Sequence, residues 1–246
     1  MFQQTDHRPW PLSKGIWIMT QEWEKVLFLH YPILPERMMK YIPDSLELDC
    51  WNGQAWLTIV PFWMGQIRPR GLPTFSYTRF PQINVRTYVT DQGKKPGVYF
   101  FSCDASRKLI VLLAKHLAHL PYYFAKMSLQ KQGNEYIFSS HRQEKSSEEA
   151  KLCVHYQPSS GFWVAKQGTL DHWLIERYCF YSCKGLNLYR AEIHHQPWQL
   201  QQVKVKTIQQ QLLPKFWISD SYTLAHYSDQ QKVWFWPLKK VDKYHG

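Results

Sequence analysis

The sequence predicts an α+β fold, mainly antiparallel β, with one closed or strongly curved sheet and a few short helices. Aromatic residues make up 16% of the 246 residues, and their side chains pack well on a pleated sheet. Turn residues repeatedly separate short alternating apolar runs, whereas only one long stretch has helical periodicity. A hydrophobic fraction of 44% excludes a disordered chain and is enough to form a substantial core.

The first 43 residues are expected to contain a surface arm, two apolar strands and a short helix. Prolines mark the arm at residues 9–11, and the segments 16–19 and 26–30 are predicted as strands. Pro35 suits the first turn of a helix, which we expect to continue to Tyr41 and to end before Pro43.

The clearest local signal is the dipeptide Asn52-Gly53, which suits a two-residue type I′ turn because both positions accept positive φ. It predicts a hairpin between strands at 46–51 and 54–61. The next segment, 62–73, is rich in Arg, Gly and Pro and is predicted to be a loop.

The central stretch, residues 80–127, is predicted to form a hairpin followed by a helix. Its strands are expected at 83–89 and 98–103, on either side of a turn at 90–97 that contains two glycines and a proline. Because side chains alternate along a strand, Asn84, Arg86 and Tyr88 share one face, which either lines a polar pocket or lies in water. The opposite face carries Ile83, Val85, Thr87 and Val89.

The helix after this hairpin is predicted over 107–119 from the spacing of its apolar residues. Ser106 is expected to cap its N-terminus, and Pro121 prevents its extension past Leu120. One stripe of the helix is expected to be buried. That stripe consists of Leu109, Leu112, Leu113, His116 and Leu117.

Strands are predicted to dominate the remainder of the chain. A hairpin is expected across 182–185, between strands at 173–181 and 186–193, and a short polar helix is expected at 209–213. The other predicted strands are 136–142, 151–156, 198–208, 222–226 and 233–236, with a charged loop at 143–150.

Composition argues against several classes of protein. No run of 18 apolar residues indicates a membrane span, and the first residues lack a secretory signal, so we expect a cytoplasmic protein. The net charge of +11 would suit nucleic acid, but the basic residues are spread along the chain rather than clustered, which disfavours that partner. Reduced thiols are expected for the odd, scattered set Cys50, Cys103, Cys153, Cys179 and Cys183.

Metal and cofactor chemistry receives no support from the motifs, and we expect neither a metal nor a cofactor. The cysteine and histidine pairs lack the additional thiol or carboxylate ligands of a zinc site. These pairs are Cys179 with Cys183, His116 with His119, and His194 with His195. The sequence also contains no G-x-S-x-G nucleophile motif and no G-x-G-x-x-G nucleotide-binding motif.

Several segments, in one order along nearly the whole chain, resemble a family of uncharacterised bacterial proteins often called YqjF-like. The segments are His7-Arg8-Pro9-Trp10, Ala55-Trp56 leading to Pro61-Phe62, Arg68-Pro69-Arg70-Gly71-Leu72-Pro73, Asn84-Val85-Arg86-Thr87-Tyr88-Val89, Gly97-Val98-Tyr99-Phe100-Phe101-Ser102, Leu120-Pro121-Tyr122-Tyr123, Glu176-Arg177-Tyr178 and His194-His195-Gln196-Pro197-Trp198.

That family in turn resembles acetoacetate decarboxylases, which implies a single domain over 1–246 and a cone-like curved sheet or barrel that encloses a central cavity. In the decarboxylases, one lysine of an adjacent pair forms an imine with the β-keto acid, and its neighbour lowers the pKa of the reacting amine. The resemblance places Tyr122 and Tyr123 at the two lysine positions and Gln82 at the position of a glutamate. Lys126 lies four residues past the first lysine position and has no adjacent lysine, so we do not expect imine-dependent decarboxylation.

We therefore expect the cavity to bind a small anionic, carbonyl or aromatic molecule. The guanidinium of Arg86 suits a carboxylate or phosphate, and tyrosines offer hydroxyl groups and stacking surfaces. The candidate ligand-binding residues are Arg86, Tyr88, Gln82, Tyr99, Tyr122, Tyr123, Glu176, Arg177 and Tyr178. A structural alternative is that Arg86 and Glu176 pair with each other in a buried polar layer.

Two other functions remain as alternatives at this point. The first is an enzyme that acts on a keto or aromatic compound without an imine, with tyrosine as the acid and Arg86 as the anion clamp. The second is a basic protein that binds nucleic acid or another anionic surface. The sequence does not decide whether the protein is an enzyme.

Overall fold

A computed structural model of the chain describes residues 4–73, 79–144, 149–213 and 222–241. These residues contain thirteen strands and three α-helices. The strands are β1 Met19–Ile33, β2 Glu47–Leu48, β3 Ala55–Pro69, β4 Phe80–Asp91, β5 Lys94–Ala105, β6 Tyr122–Gln132, β7 Glu135–Arg142, β8 Lys151–Pro158, β9 Cys179–Lys184, β10 Asn187–His194, β11 Gln201–Gln210, β12 Leu224–Phe235 and β13 Lys239–Lys240. The helices are α1 Pro35–Met38, continued by a 3₁₀ turn at Met39–Tyr41, α2 Lys108–Leu117 and α3 Leu170–Ile175.

The strands form one mixed, largely antiparallel sheet that closes into a ring. Starting at β12, the ring passes through β1, β3, β4 and β5, then through β9 and β10, and returns to β12. A second path leads from β5 through β6, β7, β8 and β11 back to β12. Only the β5–β6 and β5–β9 pairs are parallel among these. The predicted fold class, a strongly curved and mainly antiparallel sheet with few short helices, is confirmed.

Strands β1, β3 and β4 separate two hydrophobic cores, because successive side chains point to opposite faces of a strand. On β1, Val26 and Phe28 belong to one core, whereas Leu27 and Leu29 belong to the other. The first core faces β9 and β10, and the second packs against β7, β8 and β11. The alternation predicted for 83–89 is confirmed, since Ile83 and Val85 are in the second core.

The turn at Asn52-Gly53 is confirmed, with φ of 49° and 79° at the two turn residues and a bridge between Trp51 and Gln54. The strand predicted at 46–51 is reduced to β2, which pairs with β4 and not with β3, so the predicted pairing of 46–51 with 54–61 is wrong beyond that bridge. The loop predicted at 62–73 is wrong over most of its length. Strand β3 continues to Pro69 because it pairs with β1 and β4 on its two sides, for example Phe62 with Gln82. Tertiary pairing here overrides the weak strand propensity of the Arg, Gly and Pro residues.

Other predicted strands shift or merge into single long strands. The segment 26–30 lies within β1, but the strand predicted at 16–19 is wrong except at Met19, where β1 begins, and β1 has an irregularity near Lys25, where φ is 54°. The segments 222–226 and 233–236 likewise fall on β12, which runs antiparallel to β1 over nearly its whole length. The short helix predicted to begin at Pro35 is confirmed.

The central hairpin is tighter than predicted, because its strands meet at Asp91 and Lys94, leaving only Gln92 and Gly93 in the turn. The chain after Pro121 forms β6, a strand that the sequence interpretation did not include. Its partner β7 and the following β8 agree with the predicted strands at 136–142 and 151–156. Part of the predicted loop 143–150, residues 145–148, lies outside the described residues.

Two predictions in the C-terminal half are wrong. The strand predicted at 173–181 instead begins inside helix α3. At the start of that helix, the Thr169 side chain accepts a hydrogen bond from the backbone N–H of His172. The hairpin that follows turns at 185–186, between β9 and β10. At 209–213 there is no helix, because Gln209 and Gln210 continue β11 and pair with β8.

Helix α2 differs from its prediction in the face that it buries. Its leucines are exposed, with 66% of Leu109, 55% of Leu112 and 71% of Leu117 accessible, and only Val111 is fully buried. The N-terminal cap position is occupied by Arg107 rather than Ser106, and no side chain accepts a hydrogen bond from the first turn. Within the described ranges, no helix is long and apolar enough to cross a lipid bilayer.

Candidate functional site

A chamber of about 690 Å³ lies inside the ring, between strands β1, β3 and β4 and the opposing strands β9 and β10. Its wall is mostly apolar and includes Val60, Phe62, Phe180 and Trp198. Helix α2 covers one end of the chamber. The volume is typical of sites that enclose a small organic molecule. The predicted central cavity is therefore present.

Strand β4 places a row of polar side chains in this apolar wall. Gln82, Asn84 and Arg86 line the chamber because they occupy alternate positions on the strand. Tyr88 continues the same row but is fully buried behind the chamber surface. Asn84 was not among the predicted ligand-binding residues, although the alternation of β4 already placed it beside Arg86.

Arg86 is a buried cation without a carboxylate partner. Only 8% of the residue is exposed, and its Nε and Nη2 atoms have no hydrogen-bond partner. None of the ion pairs among the described residues includes it. Burial lowers the pKa of Arg86, and Tyr88, which hydrogen-bonds with it, opposes that shift. A guanidinium nevertheless remains protonated in proteins, so the site is positively charged.

Arg177 supplies a second guanidinium to the chamber wall, but this one is paired. Its Nη1 atom lies 2.5 Å from Oδ2 of Asp49, and its Nε donates to the carbonyl oxygen of Trp173 at 2.8 Å. Its Nη2 atom is buried without a partner. The Tyr88 ring lies 4.7 Å from Cζ of Arg177 and 5.9 Å from Cζ of Arg86. The two guanidinium groups and one carboxylate leave a net charge of +1.

Tyr122 contributes a phenol beside this polar row. Nε2 of Gln82 donates to the Tyr122 hydroxyl oxygen at 2.8 Å and to Oδ1 of Asn84 at 2.9 Å. The hydroxyl hydrogen of Tyr122 is therefore available to another acceptor. Burial raises the pKa of Tyr122, so the phenol is neutral and acts as a hydrogen-bond donor.

Glu176 and Tyr178 lie outside the chamber and bind each other. The Tyr178 hydroxyl donates to Oε2 of Glu176 at 2.5 Å, and the backbone N–H of Trp198 donates to Oε1 at 2.9 Å. The ring of Tyr178 stacks on His195, which does line the chamber. The alternative in which Glu176 pairs with Arg86 is therefore wrong, because both carboxylate oxygens have other partners.

Tyr99 and Tyr123 face a separate outer groove of about 650 Å³. The Tyr123 ring packs against Arg142, whose Cζ lies 4.0 Å from the ring centroid, and Lys115 lies on the same groove. Tyr122 borders both the groove and the chamber. The nine predicted residues are thus divided between the chamber, the layer behind it and this groove.

No lysine is found among the described residues that line the chamber. Lys126 lies on β6, is exposed and pairs in register with His141. None of the described amines is therefore placed to form an imine with a ligand in the chamber. Across the same residues, no group of three His, Cys, Asp or Glu side chains is arranged to bind a metal ion, and all five cysteines are free.

Comparison with known proteins places this geometry in context. The model of a family described as uncharacterized conserved protein, DUF2071, matches residues 20–232. The uncharacterized protein YqjF of Bacillus subtilis (strain 168) is 42% identical over 229 residues, which is 92% of this chain and 93% of that protein.

Solved structures of acetoacetate decarboxylase-like enzymes share the fold. One, from Sphingomonas wittichii RW1, has a TM-score of 0.63 at 10% identity, covering 97% of this chain and 98% of that one. The enduracididine biosynthesis enzyme MppR complexed with pyruvate has a TM-score of 0.62 at 10% identity, covering 96% and 94%. At such low identity, these similarities establish the fold alone.

Proposed function

This chain belongs to the DUF2071 family of uncharacterised conserved proteins, and we propose that it binds a small organic anion, above all a carboxylate, in its central chamber through Arg86. The single observation that carries the proposal is the buried guanidinium of Arg86, with two N–H-bearing nitrogens that have no partner. Burying an unpaired charge in a protein costs roughly several kcal/mol. A carboxylate bound in the chamber would offset that cost. Such a ligand would accept the hydrogen bonds that the protein leaves unmade.

The remaining wall supports an anion with an apolar or aromatic body. Aromatic side chains such as Phe28, Phe62 and Phe100 surround the polar row, so apolar contact supplies affinity while Arg86 fixes the orientation. The Tyr122 hydroxyl offers a further donor for a second oxygen of the ligand, such as a keto oxygen. MppR, which shares the fold, is described in complex with pyruvate, and this supports a keto acid as one member of the ligand class.

Binding is favoured over the alternative of an enzyme that uses tyrosine as the acid. Burial raises the pKa of Tyr122 above its ordinary value, which weakens the phenol as a proton donor near neutral pH while leaving it a good hydrogen-bond donor. Among the described residues, none of those that line the chamber is a lysine that could act as a nucleophile. The remaining alternative, a basic protein that binds nucleic acid or another anionic surface, would use exposed charges and gives no role to the buried guanidinium of Arg86.

We predict that aromatic carboxylates and sulfonates stabilise the wild-type protein but not Arg86→Met. Benzoate, phenylpyruvate and benzenesulfonate should raise Tm, because a ligand at 100 times its Kd adds about 2.7 kcal/mol to the free energy of unfolding. Benzamide, which has the shape of benzoate without its charge, should have little effect. Differential scanning fluorimetry measures the shift in Tm, and calorimetric titration measures the affinity for each compound.

The matched control for this experiment is Arg68→Met, which removes the same charge from an exposed position on β3. It should retain the full ligand-induced shift in Tm. Arg86→Lys should bind more weakly than wild type because an ammonium cannot reproduce two parallel N–H donors. Equal Tm shifts in wild type and folded Arg86→Met would refute Arg86 as the anchor, and the absence of any shift in wild type would refute the proposed ligand class.

A further inference from the structure

A row of hydrogen bonds leads from Arg86 across the chamber-facing side of the sheet to the protein surface. Thr58 on β3 is the register partner of both Arg86 on β4 and His30 on β1. This register places the Thr58 hydroxyl between the two neighbouring strands. His226 on β12 continues the row, and Asp171 at the start of α3 ends it.

Each contact in the row is within hydrogen-bond distance. Oγ1 of Thr58 lies 2.6 Å from the Tyr88 hydroxyl and 2.9 Å from Nδ1 of His30. Nε2 of His30 lies 3.1 Å from Nδ1 of His226, whose Nε2 lies 3.0 Å from Oδ1 of Asp171. At the other end, the Tyr88 hydroxyl bonds to Arg86.

The two ends of the row fix the direction of every hydrogen bond. Arg86 can only donate and the Asp171 carboxylate can only accept. The Arg86 guanidinium therefore donates to Tyr88, which donates to Thr58, which in turn donates to Nδ1 of His30. Nε2 of His30 then donates to Nδ1 of His226, whose Nε2 donates to Asp171. Both imidazoles are neutral in this arrangement.

We propose that the chamber takes up a proton together with its anion, and that this proton is bound by Nδ1 of His30. The inference rests on the proposed binding of an anion by Arg86 and adds a second bound species, the proton. His30 is fully buried, as are Thr58 and Tyr88, and His226 is 2% exposed. Asp171 is the member of the row that reaches solvent, with 35% of its side chain exposed.

The charges around His30 explain why the two binding events are coupled. Burial, His226 and Arg86 all lower the pKa of His30 in the unliganded protein. The titratable or charged groups of the row are Arg86 and Tyr88 on β4, His226 on β12 and Asp171 on α3. An anion on Arg86 cancels the nearest positive charge, so protonation of His30 becomes easier. By linkage, protonation of His30 strengthens anion binding equally.

The protonated state requires one new N–H bond and two hydroxyl rotations. The added proton comes from solvent, and His30 keeps its Nε2–H, which donates to His226, and gains an Nδ1–H on the side that faces Thr58. Nδ1 of His30 then donates to Thr58, and the Thr58 hydroxyl turns to donate to Tyr88. The Tyr88 hydroxyl keeps its hydrogen and turns it toward the Arg86 end of the row, where an anion supplies an acceptor.

Calorimetric titration with benzenesulfonate tests this inference, because the probe remains an anion at every pH used. Its affinity for the wild-type protein should rise as the pH falls from 8 to 6, by up to about tenfold per pH unit for one linked proton. Titration in two buffers of different ionisation enthalpy should show uptake of up to one proton per ligand. His30→Gln should still bind the probe but lose this pH dependence.

His155→Gln is the matched control, since it changes a histidine that pairs with Glu135 on the other side of the molecule and should keep the pH dependence. Asp171→Asn, at a half-exposed position, tests the row if His30→Gln fails to fold. It should shift the pH dependence to lower pH because the carboxylate that stabilises the protonated pair is gone.

An affinity that does not change with pH in the wild type would overturn the coupled proton and leave the proposed anion site intact. A pH dependence that persists in folded His30→Gln, or that stays at the wild-type pH in Asp171→Asn, would also overturn it. Absence of benzenesulfonate binding at every pH would instead overturn the anion site, and the coupled proton with it.

Discussion

At the scale of single residues, the protein contains two buried arginines with opposite surroundings. Arg177 has a carboxylate partner in Asp49 at 2.5 Å and donates from Nε to a backbone carbonyl, so its charge is paired although its Nη2 is not. Arg86 has no carboxylate partner among the described residues, and two of its nitrogens are unpaired. We therefore expect that removing Arg177 lowers stability, because it leaves a carboxylate unpaired, and that removing Arg86 raises it, as the proposed role in ligand binding implies.

We predict that Arg86→Met stabilises the unliganded protein, by about 1 to 3 kcal/mol, because methionine removes a desolvated charge and fills a similar volume. Arg177→Met should instead destabilise it, by about 2 to 3 kcal/mol, because it leaves the Asp49 carboxylate without its partner. Urea denaturation of both variants measures the difference. A large loss of stability in Arg86→Met would show that Arg86 has a structural partner.

At the scale of single elements, helix α2 and strand β4 illustrate how differently a periodic pattern can be used. Strand β4 buries both faces, with a polar row toward the chamber and apolar residues toward the second core. Helix α2 contacts the ring mainly through Val111, Ile110 and Ala114, while its leucines remain largely accessible at the rim of the chamber. The helix is thus a solvent-accessible part of the chamber wall.

For α2 we predict that Leu112→Gln changes the free energy of unfolding by less than about 0.5 kcal/mol, because 55% of that leucine is already exposed. Val111→Ala should cost about 2 kcal/mol, because Val111 is the buried anchor of the helix. Urea denaturation of the two variants, which lie side by side in the sequence, measures the contrast. A cost for Leu112→Gln equal to that of Val111→Ala would mean that the leucine face is covered in solution.

At the scale of the whole molecule, closure of the sheet buries titratable groups that lie far apart in the sequence. His30 and His194 come from strands far apart in the chain, and both are fully buried. Burial lowers the pKa of His30, and burial together with nearby Arg8 lowers the pKa of His194 to about 4. In the unfolded chain, these histidines would titrate near their ordinary value of about 6.5.

We predict that the free energy of unfolding falls as the pH is lowered from about 6.5 toward 4. In this window the unfolded chain binds protons that the folded protein does not, so each histidine contributes up to about 1.4 kcal/mol per pH unit. Asp171, whose pKa is lowered by its hydrogen bond to His226, contributes a further loss at lower pH. Urea midpoints at pH 8, 7, 6 and 5 measure the effect, and a constant midpoint would contradict it.

The sequence by itself determined the features that depend on local geometry and on residue chemistry. The period of two in 83–89 placed Arg86 and Asn84 on one face, and Asn52-Gly53 specified its turn, because both follow from backbone geometry within a few residues. The sequence also showed Tyr122 and Tyr123 at the positions where the resemblance places lysines. A phenol cannot form an imine whatever surrounds it, so this conclusion needed no tertiary structure.

Only the tertiary structure decided which side chains meet. Nothing in the sequence separates Arg86, which is unpaired, from Arg177, whose partner Asp49 lies 128 positions away. The row from Thr58 through His30 to His226 likewise exists only because β3, β1 and β12 pair as neighbouring strands of the sheet. The exposed leucines of α2 have the same explanation, because periodicity defines an apolar face but the neighbouring elements decide whether anything covers it.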